Sequence, residues 1–284
     1  MLSLPSRKAY RAGPLILKNM DATVTLSNLS LPFKKDEAFA EQQQCLFDSK
    51  PEGCIANQFV WPQEERPSPP HELQQPLIDF HGFLDGDTTA TQVAAELVRE
   101  ACTDHGFFQV INHGIHPELI DAAHYHTETF FARSSADKLQ FRRARGETSG
   151  YTNGHAQLFS SKLPWKETLS FEYIGFHPDN VVHYFSDKMG PKSQQTGLVF
   201  QIYGDAMNEL SLKIMELLAL SLGLQRTAFH KLFQGCNRSI MRCNYYPQCN
   251  EPILTLGTGP HSDPKTLLHQ DHVGGLEVYA DNKW

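Results

Sequence analysis

The sequence predicts an α+β protein in which helices come first and a β-rich region follows. Apolar residues repeat at four-residue steps in two segments, 93–102 and 198–222, which is helical periodicity. After residue 236 the chain changes to short β-rich pieces separated by proline and glycine. Helices and strands that are segregated in this way, rather than alternating, are typical of the α+β class.

Composition excludes several classes of function. Of the 284 residues, 40% are hydrophobic and 20% are charged, as in ordinary soluble globular proteins. A net charge of −7 argues against a nucleic-acid partner, and no apolar run approaches the ~18 residues of a membrane span. The six cysteines form no C-x-x-C pair, so neither a zinc clasp nor a disulfide framework is indicated. We therefore expect a reducing, cytoplasmic location.

Residues 1–75 are expected to form a disordered leader and linker. Residues 1–20 contain four basic side chains and no acidic one, a pattern that faintly resembles a transit peptide, although a disordered leader is preferred. Prolines crowd the segment from Pro62 to Pro76 and favour an extended chain. The remainder divides into an N-terminal region over 76–185, a long core-packing helix within 186–235, and a β-core over 236–284.

Short elements are predicted ahead of the long helix. They are a strand over 77–80, a helix that Gly106 ends, a strand over 107–111, a turn at 112–114 and a helix from Pro117 to Phe131. The first of these helices carries two apolar rows, Val93, Leu97 and Ala101, and Ala94, Val98 and Cys102.

The longest helical signal runs from Leu198 to Leu222, with Gly223 as its cap. Its apolar row consists of Ile202, Ala206, Leu210, Ile214, Leu218 and Leu222. A core-packing helix is preferred over a partner-binding face. Strands are predicted over 240–246 and 276–279. A turn signal at Asp281 and Asn282 then leads to Trp284, so we expect a hairpin with one arm and a truncated chain.

Three H-x-D pairs are candidates for metal binding, since alternate side chains of a strand share one face and can reach one ion. They are His177 with Asp179, His261 with Asp263, and His269 with Asp271. The motif is short enough to occur by chance, and its spacing does not choose among the three.

Longer motifs resemble the plant 2-oxoglutarate- and iron(II)-dependent dioxygenases, most closely the gibberellin 20-oxidases. The segments that carry this resemblance are 104–114 (DHGFFQVINHG), 163–171 (LPWKETLSF), 241–249 (MRCNYYPQC), 254–257 (LTLG), 261–264 (HSDP) and 268–276 (LHQDHVGGL). The resemblance covers about residues 58–284, and its subfamily part depends mainly on 163–171.

The resemblance implies a double-stranded β-helix, or jelly roll, here incomplete, with an N-terminal helical region. It also implies an enzyme that oxidises a gibberellin precursor at carbon 20, consuming O2 and 2-oxoglutarate, with Fe(II) and ascorbate as cofactors. A monomer without membrane or nucleic-acid partners is expected.

Site residues follow from the same resemblance. His261 and Asp263 match the first two iron ligands, with the other H-x-D pairs as bystanders, and Asn244 and Tyr246 match positions that bind 2-oxoglutarate. Trp165 and Lys166 are candidates for an apolar substrate and its carboxylate, with simple packing as the alternative.

Two departures from the family pattern bear on activity. The third ligand and an Arg-x-Ser pair are expected beyond Trp284, and the run from His261 to Asp271 is two residues shorter than expected. We therefore expect little turnover from residues 1–284. The alternatives are a non-catalytic truncated product, a related dioxygenase acting on another small hydrophobic acid or a flavonoid, and, more distantly, a zinc hydrolase.

Overall fold

A computed structural model describes residues 10–12, 19–25, 55–66, 76–153, 162–175, 177–230, 238–262, 266–271 and 274–279. The helices are α1 (His81–Leu84), α2 (Thr88–Asp104), α3 (Pro117–Phe131), α4 (Ser135–Leu139), α5 (Asn180–Met189) and α6 (Gln194–Ser221). The strands are β1 (Tyr10–Ala12), β2 (Asn19–Thr25), β3 (Leu77–Asp79), β4 (Gln109–Ile111), β5 (Gly150–Asn153), β6 (Glu167–Ile174), β7 (Arg238–Tyr246), β8 (Thr258–His261), β9 (Thr266–Gln270) and β10 (Leu276–Val278).

The largest sheet has five antiparallel strands in the order β5-β6-β7-β2-β9. In its β6–β7 ladder Thr168 lies opposite Asn244, and Ser170 lies opposite Arg242. A second antiparallel sheet has the order β10-β1-β8, and β3 pairs with β4 in parallel. The β6–β7 register matters most here, because it decides which side chains meet across the candidate site.

Helices α2, α3 and α5 pack on α6, and one face of the main sheet closes the core against them. The predicted long helix is confirmed, as Gln194–Ser221, but only the middle of its apolar row is buried. Leu210 and Ile214 are buried, whereas Ile202 is 46% exposed and Leu222 is 62% exposed. Four-residue steps drift by about 40° each on a helix of 3.6 residues per turn, so the ends of a long row leave the core face.

Glycines allow the closest approaches to α6. A Cβ on Gly197 would lie 2.7 Å from the Val182 Cα, and one on Gly204 would lie 2.6 Å from the Tyr173 ring. Gly106 and Gly223 follow α2 and α6 with φ values of +77° and +69°, which confirms both predicted helix ends.

The expectation of a disordered leader over residues 1–75 needs correction at three stretches. β1 and β2 belong to the sheets, and β2 pairs with β7 on one side and β9 on the other, which satisfies the backbone groups of both neighbours. Residues 55–66 pack against the rest of the chain, with Phe59 and Trp61 each only 1% exposed, because large apolar side chains gain from burial. The division at residues 75, 185 and 235 stays a prediction.

Among the described residues, no helix is both long enough and apolar enough to cross a membrane.

Candidate functional site

β7 separates two environments by alternation of its side chains. Cys243 lies 3.7 Å from the Thr127 hydroxyl on α3, and Tyr245 stacks on Phe131 with ring centroids 5.2 Å apart. These contacts turn one face of β7 towards the helices. Asn244 and Tyr246 alternate with them and therefore share the other face, as the sequence predicts.

The Asn244 side chain is held by a neighbouring strand. The Thr168 hydroxyl donates to the Asn244 Oδ1 atom at 3.0 Å, directly across the β6–β7 ladder. Both residues are 7% exposed, so this bond forms away from bulk water. Two residues along the same ladder, the Arg242 Nε–H donates to the Ser170 hydroxyl at 3.3 Å. Hydroxyls of β6 thus pair with polar side chains of β7 on this face.

His261 ends β8 with its ring orientation set by the backbone. Its Nδ1 atom lies 2.9 Å from the Gly259 carbonyl oxygen, which can only accept, so Nδ1 carries a proton and the neutral form of the ring has its lone pair on Nε2. Histidines that bind metals commonly have this arrangement, with one ring nitrogen bonded to a carbonyl and the other as the ligand. The chemistry of His261 therefore fits a role as a metal ligand.

The partner predicted for His261 lies outside the described residues, since Asp263 belongs to the stretch 263–265. Convergence of His261 and Asp263 on one ion stays a prediction. In the part of the chain that the structure describes, no group of three or more His, Cys, Asp or Glu side chains is arranged to hold a metal ion.

The other two H-x-D pairs have different surroundings. Asp179 precedes α5 and its carbonyl accepts the His183 N–H at 2.9 Å, so this pair belongs to a helix start. His269 lies on β9, and its Nδ1 atom is 3.2 Å from the Nε2 atom of His124 on α3. Burial, then the nearby His124 and His113 rings, lower the pKa of His269 to about 4, with a smaller opposing effect from Asp271. His269 is therefore held neutral between a helix and a strand.

Trp165 and Lys166 make contacts within the protein. The Trp165 Nε1–H donates to the Pro247 carbonyl at 2.9 Å, and its ring meets Phe59 edge-on at 5.1 Å. The Lys166 ammonium donates to the Thr258 hydroxyl at 2.7 Å. Both residues are half-buried. Through these bonds the two residues connect the start of β6 to Pro247 and to Thr258. Such contacts within the protein favour the packing alternative.

Two family descriptions match the chain. Residues 76–188 match the one described as non-haem dioxygenase in morphine synthesis N-terminal, and residues 237–284 match the 2OG-Fe(II) oxygenase superfamily. The chain belongs to the 2OG-Fe(II) oxygenase superfamily. Membership in this superfamily implies Fe(II) and 2-oxoglutarate, as expected from the motifs around Asn244 and His261.

Curated relatives of this chain include gibberellin 20 oxidases. It is 50% identical over 236 residues to gibberellin 20 oxidase 3 of Arabidopsis thaliana, which is 81% of this chain and 62% of that protein. It is 51% identical over 235 residues to gibberellin 20 oxidase 1 of the same plant, with the same two shares. The chain thus spans about 62% of the length of these relatives.

A solved structure supports the oxygenase fold. The crystal structure of JOX2 in complex with 2OG, Fe, and JA has a TM-score of 0.62 and 30% identity to this chain, covering 76% of it and 59% of JOX2. The expected jelly-roll class is confirmed by this likeness and by the superfamily match.

Sequence reasoning missed Thr168 and His124. Thr168 lies within the 163–171 motif but was given no role there, and His124 belongs to no motif; each becomes significant only through a partner more than 70 residues away. The alternation of Thr168, Leu169, Ser170 and Phe171 is the one signal that could have revealed β6, and with it the hydroxyls facing β7.

Proposed function

We propose that this chain carries the iron- and 2-oxoglutarate-binding part of an oxygenase that oxidises gibberellin precursors at carbon 20, aided by ascorbate. The proposal extends to the finer expectations of a cytoplasmic monomer with no nucleic-acid or membrane partner. The observation that carries it is the shared face of Asn244 and Tyr246, together with 50% identity to a gibberellin 20 oxidase.

His261 and Asp263 would hold the iron, which supplies the chemistry of O2 activation when bound. The Nδ1–H bond to the Gly259 carbonyl would keep the His261 ring in the tautomer that a ligand requires. Asn244 and Tyr246 would orient 2-oxoglutarate through side-chain donors. Burial of both side chains, at 7% and 4% exposure, would strengthen these bonds by excluding water.

The substrate is tested by product analysis. A full-length form, in which the third ligand and the Arg-x-Ser pair expected beyond Trp284 are restored, is incubated with Fe(II), ascorbate, 2-oxoglutarate and a gibberellin precursor, and both succinate and the oxidised precursor are measured. Oxidation of the precursor in preference to a flavonoid and to an unrelated hydrophobic acid supports the proposal. Oxidation of the flavonoid or the other acid instead would favour the related-dioxygenase alternative.

A role for Trp165 and Lys166 in substrate binding stays a prediction with its own test. In a restored full-length enzyme, Lys166→Ala removes the ammonium that would meet a substrate carboxylate. An increase in KM for the gibberellin precursor supports that role. An unchanged KM with reduced thermal stability supports packing, because Lys166 also bonds the Thr258 hydroxyl.

A further inference from the structure

We propose that Thr168 is a positioning residue, which fixes the Asn244 carboxamide so that its N–H groups face 2-oxoglutarate. This inference rests on the proposed function, in which Asn244 contacts the cosubstrate. No motif includes Thr168 in this role. It follows from the hydrogen bond that joins β6 to β7 at 3.0 Å.

A carboxamide has two chemically different ends, an acceptor oxygen and a nitrogen with two donors. The Thr168 hydroxyl donates to the oxygen, so the nitrogen must point away from β6. 2-Oxoglutarate carries two carboxylates and a ketone, all of which accept hydrogen bonds. With the carboxamide reversed, its oxygen lone pairs would face those acceptors and repel them.

Strand geometry keeps the Thr168 hydroxyl and the Asn244 carboxamide next to each other. Thr168 and Asn244 are directly opposite in the register, so their side chains project from the same face of adjacent strands. Both are buried, and a buried hydroxyl or carboxamide without a partner is costly. Leu169, between Thr168 and Ser170, is fully buried on the helix-facing side. A one-residue shift of β6 would therefore break the bond between Thr168 and Asn244. It would also turn the apolar side chains of β6, such as Leu169, away from the core.

The orientation can be measured without any ligand. The chain is labelled with 15N at asparagine, and the Asn244 side-chain NH2 signals are identified by their loss in Asn244→Gln. We expect Thr168→Val to shift and broaden these signals, because the carboxamide then samples both orientations. Thr168→Ser keeps the hydroxyl and should restore them. Thr168→Ala serves the same purpose as Thr168→Val if the latter fails to fold.

The matched control is Thr127→Val, which makes the same chemical change at another buried threonine. The Thr127 hydroxyl donates to the Ala123 carbonyl and lies 3.7 Å from Cys243, the residue before Asn244 on the opposite face of β7. The Thr127→Val variant should leave the Asn244 NH2 signals in place. Signals that are unchanged in Thr168→Val, or equally changed in Thr127→Val, would overturn the inference.

Affinity gives the second measurement. 2-Oxoglutarate is titrated into the chain with Mn(II), a redox-stable stand-in for Fe(II), and heat is recorded. Thr168→Val should weaken binding by roughly 3- to 10-fold, the usual effect of one lost hydrogen bond, whereas Thr168→Ser and Thr127→Val should not. Unchanged affinity in Thr168→Val contradicts positioning. Absence of binding even when the third ligand and the Arg-x-Ser pair expected beyond Trp284 are restored contradicts the proposed function instead, and the NMR signals still decide the orientation.

Discussion

The Lys138 ammonium lies 2.6 Å from a Glu167 carboxylate oxygen, with the two side chains only 7% and 4% exposed. The same oxygen accepts the Tyr151 hydroxyl at 2.7 Å, and the Phe131 carbonyl accepts a further bond from Lys138 at 3.1 Å. Glu167 begins β6 and precedes Thr168. This buried ion pair therefore anchors the strand that positions Asn244 to helix α4.

Lys138→Met should destabilise the fold strongly. It removes the cation but leaves the Glu167 carboxylate buried with the Tyr151 hydroxyl as its remaining side-chain partner among the described residues, and breaking a buried pair in this way costs about 3–5 kcal/mol. Urea unfolding followed by circular dichroism measures the loss. Arg238→Ala is the control, since its pair with Glu172 has 70% of the arginine side chain exposed and should contribute no more than about 1 kcal/mol. Equal losses in the two variants would contradict the prediction.

Acid should destabilise the protein through His269. Its pKa of about 4 in the folded state lies below its ordinary value of 6.5, so the unfolded chain binds the extra proton first. The free energy of unfolding should therefore fall as pH falls from 6.5 towards 4, and this contribution should be constant above that window. Urea midpoints measured across this range test the slope.

Replacing the imidazole separates His269 from the other histidines. His269→Gln should flatten the slope between pH 6.5 and 4, because the titrating group is gone. His81→Gln removes an imidazole whose side chain is 75% exposed, and it serves as the control. A slope that persists in His269→Gln would place the acid sensitivity elsewhere.

Metal affinity should depend on His261 and not on the other H-x-D pairs. Loss of a group that hydrogen-bonds a metal-binding histidine lowers the affinity for the metal by about 10- to 100-fold. Loss of the histidine itself should therefore lower it more. Mn(II) binding followed by electron paramagnetic resonance compares His261→Ala with the matched variants His177→Ala and His269→Ala. A loss in His269→Ala comparable to that in His261→Ala would reject the assignment.

Gly197→Ala should destabilise α6, although alanine normally favours a helix. The new Cβ would lie 2.7 Å from the Val182 Cα and 3.1 Å from the Val181 carbonyl oxygen, and backbone atoms cannot move aside easily. Overpacking of this kind costs about 1–3 kcal/mol. Gly175→Ala, whose Cβ would meet nothing closer than 3.7 Å, is the control for thermal unfolding. If the thermal unfolding midpoint of Gly197→Ala is unchanged, the prediction is wrong and α5 can shift to make room for the added Cβ.

Local signals predicted much of the helical part. The helix from Pro117 to Phe131 and the end of α2 at Gly106 depend on residues within one or two turns, and the structure has both. The predicted rows of α2 were half right. Ala94, Val98 and Ala101 are buried, but Val93 is 58% exposed, because a row of four-residue steps drifts around the helix and its end leaves the core face. The strand predicted over 107–111 is shorter, at Gln109–Ile111.

The candidate site was predictable only where one strand carries it. Alternation along β7 was sufficient to put Asn244 and Tyr246 on one face, and the structure agrees. The contacts of Thr168, His124 and Lys138 depend on pairing and packing between distant segments, which no short pattern encodes. The assignment of His261 and Asp263 still depends on the motif, since Asp263 and the turn at 281–282 lie outside the described residues.

Trp61 has a consequence for how the nascent chain folds. Its backbone N–H is bonded to the Leu254 carbonyl at 2.9 Å, and its indole N–H to the Leu163 carbonyl at 3.3 Å. During synthesis this large apolar side chain leaves the ribosome long before either partner exists. Its bond to Leu254 cannot form until residue 254 has emerged, and synthesis proceeds at about 5–20 residues per second. Residues 55–66 thus complete their native contacts only late in synthesis, although they lie near the start of the chain.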